Sequence, residues 1–260
     1  MLLAVDVGNT QTQLGVFRGD ELLHQWRAAT EQRKTSDELA LMFGHFLSLA
    51  DLSFSREITG VVISSVVPRA TQELRHMTTK YFGFQALVVE PGVRTGIAIL
   101  TDNPREVGAD RIAGAVAARA MFPGEPIVVV DFGTAITVDA VSASGEYLGG
   151  AIAPGLDTAA NALFQVTAQL PPVELVAPPT AIGKRTVASV QAGTVYGIAG
   201  LVDGLVERVR EELGGDARVV ATGGLAPSVV KHCRTIEKIE PLLTLEGLRL
   251  IFERNADEQE

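Results

Sequence analysis

A strand–turn–strand pattern that occurs twice constrains the fold of this 260-residue chain more than any other feature. In the first copy, the apolar run Leu2–Val5 leads into Asp6-Val7-Gly8-Asn9-Thr10. In the second copy, which starts 125 residues later, Ile127–Val130 leads into Asp131-Phe132-Gly133-Thr134-Ala135. An alternating run, a glycine turn and a third apolar run follow each copy. Short β-rich runs separated by such turns predict two similar hairpin meanders.

Two copies are too few for a solenoid and indicate two like halves. Between them, Pro123-Gly124-Glu125-Pro126 interrupts the chain, so we predict an N-terminal half, 1–122, and a C-terminal half, 123–260. Hydrophobic residues make up 47 % of the chain and aromatic residues 5 %, so Val, Ala, Leu and Ile must fill the core. This composition, with strands alternating with helices, favours an α/β fold over a β sandwich.

The spacing of apolar residues locates the remaining elements. Helices are predicted at 36–49, 71–81, 109–121, 189–213 and 242–254, and further strands at 60–67, 86–89 and 218–221. Gly214-Gly215 ends the fourth helix, because glycine adopts a left-handed C-cap at little cost. Four prolines make Leu170–Thr180 an extended loop, and Asn255–Glu260 is a charged tail that is expected to fray.

Charge and composition exclude several function classes. The net charge of −9 argues against a nucleic-acid or anionic-membrane partner, because phosphate groups attract basic surfaces. Cys233 is the only cysteine, so neither an intrachain disulfide nor a CxxC metal site can form. The apolar start is too short for a signal peptide, and no run approaches the roughly 18–20 apolar residues that span a bilayer. We therefore expect a soluble, cytoplasmic protein.

The two duplicated turns are candidate phosphate sites. Glycine lets the backbone approach a phosphate, Asn9 and Thr10 can donate to its oxygens, and the Asp6 carboxylate can hold Mg²⁺. Each turn alone could equally be an ordinary hairpin turn, since Asp, Gly and Asn are common turn residues. A third turn, Thr222-Gly223-Gly224, follows a strand and suits the far end of a nucleotide. Together the three turns predict the actin-like ATPase arrangement, with the nucleotide in a cleft between the halves.

The string from Asn103 to Arg111 is the second candidate constellation. Gly108 opens a helix whose first turn contains Asp110, and a helix N-terminus favours negative charge. An ionised Asp110 could accept a proton from a substrate hydroxyl, and Arg111 could pair with a substrate carboxylate. The alternative is an N-terminal capping pair without a catalytic role.

Three further motifs give weaker indications of a functional role. Gly183-Lys184-Arg185-Thr186 lacks the upstream glycine and the preceding strand of a P-loop, so Thr186 is interpreted as a loop hydroxyl for substrate or as a helix cap. The four histidines, His24, His45, His76 and His232, share no metal-ligand spacing. Cys233 is interpreted as a buried thiol, because no neighbouring groups suggest a nucleophile.

These motifs resemble type III pantothenate kinases along nearly the whole chain. The matching strings are Asp6–Thr10, Ile63-Ser-Ser-Val-Val-Pro68, Asp102–Arg111, Asp131–Ala135, Gly149-Gly-Ala-Ile-Ala-Pro-Gly155 and Gly183–Thr186. The string that ends in Asp110-Arg111 is the most specific, because the wider kinase superfamily lacks it. The resemblance implies two ribonuclease-H-like halves of the actin-like ATPase fold. It also implies ATP-dependent phosphorylation of the primary hydroxyl of pantothenate, the first step of coenzyme A synthesis.

The resemblance also implies site residues, cofactors and a partner. Asp110 would be the general base, and the substrate contacts would be Thr101, Gly108, Ala109, Asp110, Arg111 and Thr186. The ATP contacts would be Asp6, Val7, Gly8, Asn9, Thr10, Gln11, Thr12, Gln13, Gly133 and Thr134, with Gly223 and Gly224 from the third glycine turn. Asp6 would hold Mg²⁺ and Asp131 a monovalent cation, K⁺ or NH₄⁺. Thr186 would reach the site of a neighbouring subunit, which implies a homodimer, and the Gly/Ala-rich stretch Gly149–Ala162 is a plausible buried surface for it.

Two positions depart from the family pattern. Many members carry an aromatic residue seven positions before Gly108, where this chain has Thr101, and Gln11 stands where Asn or Arg is frequent. Thr101 leaves open a kinase or phosphatase of the same fold that acts on another small acid or on polyphosphate. A nucleotide-responsive regulator without turnover is the non-enzyme alternative. The presence of Asp6, Asp110, Arg111 and Asp131 together argues against it, because a pure binder needs no acid beside the arginine.

Overall fold

The computed structural model describes residues 1–167, 170 and 172–256. The first part of the chain contains β1 (Leu2–Val7), β2 (Gln11–Arg18), β3 (Glu21–Ala29), α1 (Ser36–Ser48), β4 (Gly60–Ser65), α2 (Pro68–Met77), β5 (Leu87–Val88) and α3 (Ala109–Met121). A π-helical turn, Thr78–Phe82, extends α2, and a short 3₁₀ turn, Pro104–Glu106, precedes α3.

The second part repeats the order of the strands and has two helices, instead of one, between the third and fourth strands. It contains β6 (Ile127–Phe132), β7 (Ala135–Val141), β8 (Tyr147–Pro154), α4 (Leu156–Val166), α5 (Thr186–Glu212), β9 (Arg218–Thr222), α6 (Ala226–Val229), β10 (Lys238–Ile239) and α7 (Leu243–Ala256). A 3₁₀ turn, Val230–His232, follows α6. The helices and strands of the described residues thus form two successive sets.

Each set builds one five-stranded mixed sheet with the same topology. The strand orders are β3-β2-β1-β4-β5 and, read from the other edge, β8-β7-β6-β9-β10. In each sheet the first strand pairs antiparallel with the second and parallel with the fourth. Even the β-bulges correspond, since the register shifts at Val16/Phe17 in one sheet and at Ala140/Val141 in the other. The predicted duplication into two similar halves is confirmed.

The residues form two compact units that are not continuous in sequence. Unit 1 comprises Met1–Ile97, Asp102–Ala117 and the described residues from Leu243 on, and unit 2 comprises Ala98–Thr101 and Ala118–Leu242. The predicted division at residue 122 differs from this one in three respects, the smallest being that residues 118–122 belong to unit 2. The terminal helix α7 belongs to unit 1, because it packs on β1, β2 and β4, and the segment 98–101 pairs with β8 of unit 2 through an Ile99–Tyr147 bridge.

In unit 1 the sheet carries a helix layer on each face. Leu3, Val5 and Val7 of β1 point into a buried cluster with Phe43 of α1 and Leu74 of α2. The alternate residues of β1 face the other way, as strand geometry requires. On that side α7 covers the sheet, and glycines allow its side chains to approach. A Cβ at position 15 would lie 3.1 Å from Leu245, and a Cβ at position 60 would lie 2.4 Å from Phe252.

In unit 2 the sheet packs on α5. Val128, Val130 and Phe132 of β6 lie in one buried cluster with Ile198 and Val202 of α5. The predicted glycine stop of this helix is confirmed. Gly214 and Gly215 both have positive φ, and their N–H groups donate to Glu211 O and Arg210 O, which is the Schellman pattern.

Several predicted boundaries need correction. The second predicted helix begins at Pro68 rather than Thr71, because proline is favoured in the first turn, where its missing N–H costs nothing. The long helix starts three residues before the predicted Ser189, at Thr186. The elements α4, α6 and β10 were not predicted. Asn255 continues α7 instead of starting a tail, since its amide donates to Arg94 O at 3.0 Å, and residues 257–260 lie outside the described residues.

Leu170–Thr180 contains neither helix nor strand at the positions that the structure describes, in agreement with the predicted extended loop. None of the helices within the described ranges combines the length and apolar content needed to cross a membrane.

Candidate active site

The first candidate group surrounds Asp6, the penultimate residue of β1. Asp6 pairs in register with Gln13 of β2 and with Ser64 of β4, so the three side chains share the sheet face that is turned away from the α1/α2 core. Their row lies where β1 and β4 end. A carboxylate, an amide and a hydroxyl at the ends of adjacent strands form an oxygen-rich edge, which is the ligand chemistry that Mg²⁺ selects.

The turn after Asp6 is held by backbone hydrogen bonds. Gly8 N donates to Gln11 O at 2.9 Å, and Thr30 N donates to Thr10 O at 2.9 Å. A Cβ at position 8 would lie 3.1 Å from Gln11 O, so glycine keeps this turn tight. Asn9, Thr10 and Gln11 are exposed to solvent.

Two of the residues predicted to contact ATP point elsewhere. Val7 is 2 % exposed and lies in the core of unit 1, and the Thr12 hydroxyl contacts the Thr30 hydroxyl at 2.9 Å. They pair with each other in register and face the α1/α2 core, because strand residues alternate between faces. In the chain as described, only backbone atoms of these two residues could serve a nucleotide.

The second candidate group surrounds Asp131, the penultimate residue of β6. Asp131 pairs in register with Thr137 of β7 and Thr222 of β9, so a row of an acid and two hydroxyl residues repeats the row around Asp6. The turn that follows is one residue shorter than in unit 1: Gly133 N donates to Ala135 O at 3.1 Å. Thr134 O accepts from Gly155 N at 3.1 Å and from the Thr158 hydroxyl at 2.6 Å, which ties the turn to the start of α4.

The third predicted turn packs directly against the second. Gly223 has φ +97°, and a Cβ there would lie 2.4 Å from Asp131 Oδ1 and 2.6 Å from the backbone of Phe132. Leu225 N donates to Phe132 O at 3.1 Å. The structure thus brings Asp131 and Gly223 together, a direct contact that the sequence analysis did not predict.

The start of α3 forms another candidate group in unit 1. Asp110 lies in the first turn and is half-buried, and its Oδ1 accepts from Arg111 N at 2.8 Å. A Cβ at Gly108 would lie 2.3 Å from that same oxygen, so the glycine makes room for the carboxylate. The positive end of the helix dipole stabilises an ionised carboxylate here. The helices α3 and α7 also pack closely, because a Cβ at Gly247 would lie only 1.9 Å from Ala113 O.

The remaining predicted substrate residues belong to unit 2. Thr101 Oγ1 is buried and has no hydrogen-bond partner among the described residues, and Gly149 of β8 lies beside its methyl group. Thr186 is exposed as the first residue of α5, and the N-cap position before it is held by Arg185. The interpretation of Thr186 as a helix cap was therefore wrong, and the loop-hydroxyl interpretation stays a prediction.

Two buried carboxylates escaped the sequence reasoning. Asp139 is 2 % exposed and accepts from the Tyr147 hydroxyl at 2.7 Å. Asp203 on α5 accepts from Arg234 N at 2.9 Å and from the Thr235 hydroxyl at 2.8 Å. Burial acts to raise the pKa of Asp203, but the hydrogen bonds from Thr235 and Arg234 together lower it below its ordinary value. Both acids stand singly inside otherwise apolar runs, and this pattern could have indicated that they are buried.

The thiol of Cys233 is not activated. Burial raises its pKa to about 12, and the charge of Asp203 adds to the shift. The thiol is therefore protonated at neutral pH, as its interpretation as a structural residue requires. Among the described residues, no group of three or more His, Cys, Asp or Glu side chains could hold a metal ion. A cation at Asp6 would consequently depend on phosphate oxygens and water for its other ligands.

Comparison with solved structures defines the class of the protein. Component A of (R)-2-hydroxyglutaryl-CoA dehydratase from Acidaminococcus fermentans aligns with a TM-score of 0.56 and 18 % identity over 99 % of each chain. The inorganic polyphosphate/ATP-glucomannokinase of Arthrobacter sp. strain KM aligns with a TM-score of 0.51 and 17 % identity, also over 99 % of each chain. At these identities the likeness concerns the fold alone. The chain has the actin-like ATPase and sugar kinase fold.

Comparison of sequences defines the family. The model of the type III pantothenate kinase family matches residues 2–208. A type III pantothenate kinase of Moorella thermoacetica is 54 % identical over 256 residues, which cover 98 % of this chain and 100 % of that relative. The chain belongs to the type III pantothenate kinase family and is a kinase, so the resemblance seen in the motifs is confirmed.

Proposed function

We propose that this chain transfers the γ-phosphoryl group of ATP to the primary hydroxyl of pantothenate, the first step of coenzyme A synthesis. The observation that carries the proposal is the start of α3, where Gly108 makes room for the Asp110 carboxylate and Arg111 follows it. An acid beside an arginine at a helix N-terminus provides both a proton acceptor and an anchor for the carboxylate of a hydroxy acid.

Asp110 acts as the general base in this proposal. Its carboxylate accepts the proton of the substrate hydroxyl while that oxygen bonds to the γ-phosphorus and the bond to the ADP oxygen breaks. Arg111 holds the substrate carboxylate through its planar guanidinium. Because phosphoryl transfer demands mainly alignment and charge neutralisation, fixing both ends of a small acid accounts for most of what the protein must supply.

The turns of the two units hold the nucleotide and its cations. The residues at the end of β1 fit Mg²⁺, because the Asp6 carboxylate lies in one row with the buried Ser64 hydroxyl and Gln13. Bound there, Mg²⁺ would neutralise charge on the phosphate oxygens. In unit 1, phosphate would be bound by Gly8, Asn9 and Thr10. In unit 2, it would be bound by Gly133, Thr134, Gly223 and Gly224. Asp131 would hold a monovalent cation, K⁺ or NH₄⁺, with Thr222 beside it.

The acceptor pocket includes Thr101. Where many family members place an aromatic residue, this chain places a hydroxyl whose oxygen is buried and has no partner among the described residues. A hydrogen bond from Thr101 to the acceptor would compensate for part of the binding free energy that the aromatic contact provides in those members. We therefore expect the preference for pantothenate over smaller hydroxy acids to depend on Thr101.

Exposed apolar side chains of unit 2 support a homodimer. Ile152 on the edge strand β8 is 65 % exposed, and Val166 and Ile182 are each 81 % exposed. Proteins normally cover exposed edge strands and exposed apolar side chains of this kind. A second copy would cover them and bring the exposed Thr186 to a neighbouring site. A mass in solution of one 27.5 kDa chain would contradict this part of the proposal.

The proposal is tested by ADP release with and without pantothenate, in potassium and in sodium buffer, for the wild type and for Asp110→Asn. We expect turnover that requires pantothenate and is stimulated by potassium. Asp110→Asn should lower kcat by about 10²–10⁴-fold, the usual contribution of a general base, with ATP binding nearly unchanged. The matched control is Asp37→Asn, an exposed first-turn acid of α1 that pairs with Lys80.

Three outcomes decide between the candidate functions. Turnover of Asp110→Asn above about a tenth of the wild-type value would rule out the base assignment. Turnover with a different acceptor would replace pantothenate as the substrate. ATP binding without turnover of any acceptor would leave a nucleotide-responsive regulator.

A further inference from the structure

Ser64 is a buried hydroxyl residue with no evident structural task. It is 0 % exposed, and its Oγ has no hydrogen-bond partner among the residues that the structure describes. Leaving a buried hydroxyl without a partner costs about 1–3 kcal/mol. Such a group therefore needs an explanation, and a ligand that binds during function is one of the few available.

Three buried threonine hydroxyls elsewhere in the described chain have partners. Two of them donate to backbone carbonyls: Thr78 to Arg75 O at 3.0 Å and Thr194 to Val190 O at 2.8 Å. The third, Thr235, donates to the carboxylate of Asp203 at 2.8 Å. Each of these bonds stabilises the fold around it. Ser64 contributes no such bond, so its hydroxyl is not explained by the packing of unit 1.

The position of Ser64 points to the end of β1. It pairs in parallel register with Asp6, and both side chains lie on the same face, one residue before their strands end. In unit 2 the corresponding neighbour of Asp131 is Thr222, which is 4 % exposed. Both acids of the duplicated sheet thus have a buried hydroxyl residue on the adjacent parallel strand.

We infer that Ser64 is a positioning residue of the magnesium site, whose hydroxyl bonds to the hydration shell of the cation held at Asp6. This inference rests on the proposed function, because it takes Asp6 as the residue that holds Mg²⁺. Mg²⁺ gives up its water reluctantly and binds through one or two carboxylates, several waters and substrate phosphates. A buried hydroxyl beside the carboxylate can fix one of those waters, as the outer partners of metal ligands do.

The test is the magnesium dependence of nucleotide binding, measured by calorimetry with a non-hydrolysable ATP analogue and increasing MgCl₂. Ser64→Ala should weaken the apparent affinity for Mg²⁺ by about tenfold, the worth of one hydrogen bond to a charged centre. Binding of the analogue in EDTA should not change. The Tm of the unliganded variant should equal or exceed that of the wild type, because the substitution removes an unpaired polar group.

Two further variants serve as comparisons. Thr78→Val removes a buried hydroxyl that already has a partner, so it should lower the Tm and leave the magnesium dependence unchanged. Ser64→Cys replaces the hydroxyl with a weak donor and should weaken magnesium affinity as Ser64→Ala does. It also provides a second measurement if the alanine variant does not fold.

The outcomes separate this inference from the proposed function. If Asp6→Asn abolishes the magnesium dependence and both Ser64 variants stay within twofold of the wild type, the role of Ser64 is disproved and that of Asp6 stands. If Asp6→Asn itself leaves the dependence unchanged, the magnesium assignment of the proposed function fails. A large loss of Tm in unliganded Ser64→Ala would identify the hydroxyl as structural and would also overturn the inference.

Discussion

The two duplicated turns have the same scaffold and different surroundings. In both units an acid lies one residue before the end of the first strand, followed by a glycine turn whose last threonine carbonyl accepts a backbone N–H. In unit 1 that donor is Thr30, and in unit 2 it is Gly155. The turn of unit 1 is one residue longer. The turn of unit 2 instead has Gly223 packed against its acid.

This difference shows which part of the duplicated motif tolerates change. The strand pairing, the bulges and the position of the acid are the same in both units, because a one-residue slip would turn every side chain of a strand to the wrong face. The turns lie outside the pairing and can lengthen or acquire a neighbour. Two copies of one hairpin can therefore offer unlike sites, one with a longer turn after Asp6 and one with Gly223 packed against Asp131.

The largest expected effect comes from exchanging the two acids for amides. Asp6→Asn should lower kcat/KM for MgATP by about 100-fold or more, since a positioned charge contact is worth that much in the transition state. Asp131→Asn should lower activity in potassium buffer to the level of the wild type in sodium buffer. Steady-state assays over a grid of Mg²⁺ and K⁺ concentrations measure both effects.

The control for this comparison is the effect of each substitution on the dependence on the other cation. Asp6→Asn should retain potassium stimulation of its residual rate, and Asp131→Asn should retain the wild-type magnesium dependence. If either variant changes both dependences equally, the two turns do not hold different cations.

The next effect is on stability and compares two glycines. Gly223→Ala should lower the free energy of unfolding by about 2–4 kcal/mol, because it combines a positive φ with a close approach to Asp131 and Phe132. Gly8→Ala should cost about 1 kcal/mol or less, since its Cβ would meet only Gln11 O, at 3.1 Å. Urea unfolding measures both, and equal losses would show that the two turns are equally constrained.

The third prediction compares the hydrogen bonds that a carboxylate on one helix of each unit accepts from a neighbouring segment. Asp203, whose side chain is 3 % exposed, ties α5 to the segment after α6, whereas Glu73 of α2 accepts from Ser36 N in a less buried setting. Asp203→Asn should cost about 1.5–3 kcal/mol at pH 7, the range for hydrogen bonds to a buried charge. Glu73→Gln, the matched control, should cost about 1 kcal/mol or less.

The pH dependence of the Asp203 effect has a definite sign. Because the folded-state pKa of Asp203 lies below its ordinary value of 3.8, its contribution is complete above that value. It is lost as the pH falls through the lower, folded pKa. The stability difference between the wild type and Asp203→Asn should therefore be constant near neutral pH and shrink in the acid range. A difference that grows on acidification would contradict the assignment.

The sequence was informative where structure depends on local pattern. The duplicated hairpins, the start and end of α3 and the glycine stop of α5 follow from alternation, helical spacing and turn chemistry. The pairing of α7 with unit 1 could not be predicted, because it depends on which apolar face the helix covers and not on its own residues. The two-residue strands β5 and β10 and the four-residue helix α6 are too short to produce a periodic signal, and of these only β5 was predicted.

The candidate site was predictable to the same extent. Acids and glycines in turns are visible in the sequence, but the packing of Gly223 against Asp131 is not. Ser64 belongs to one of the family-matching strings, but its neighbour Asp6 lies 58 positions away, so only the register reveals the pair. Asp203 was hidden similarly, because its partners Arg234 and Thr235 belong to a distant segment.

The placement of α7 has a consequence for biosynthesis. This helix covers the face of β1 and β4 that carries Asp6, yet it is translated after every strand of the two described sheets. Until it is made, the oldest part of the nascent chain keeps one side of its sheet uncovered, where chaperones or other nascent chains can bind. A stop codon that removes α7 would therefore damage the half of the protein that was translated first.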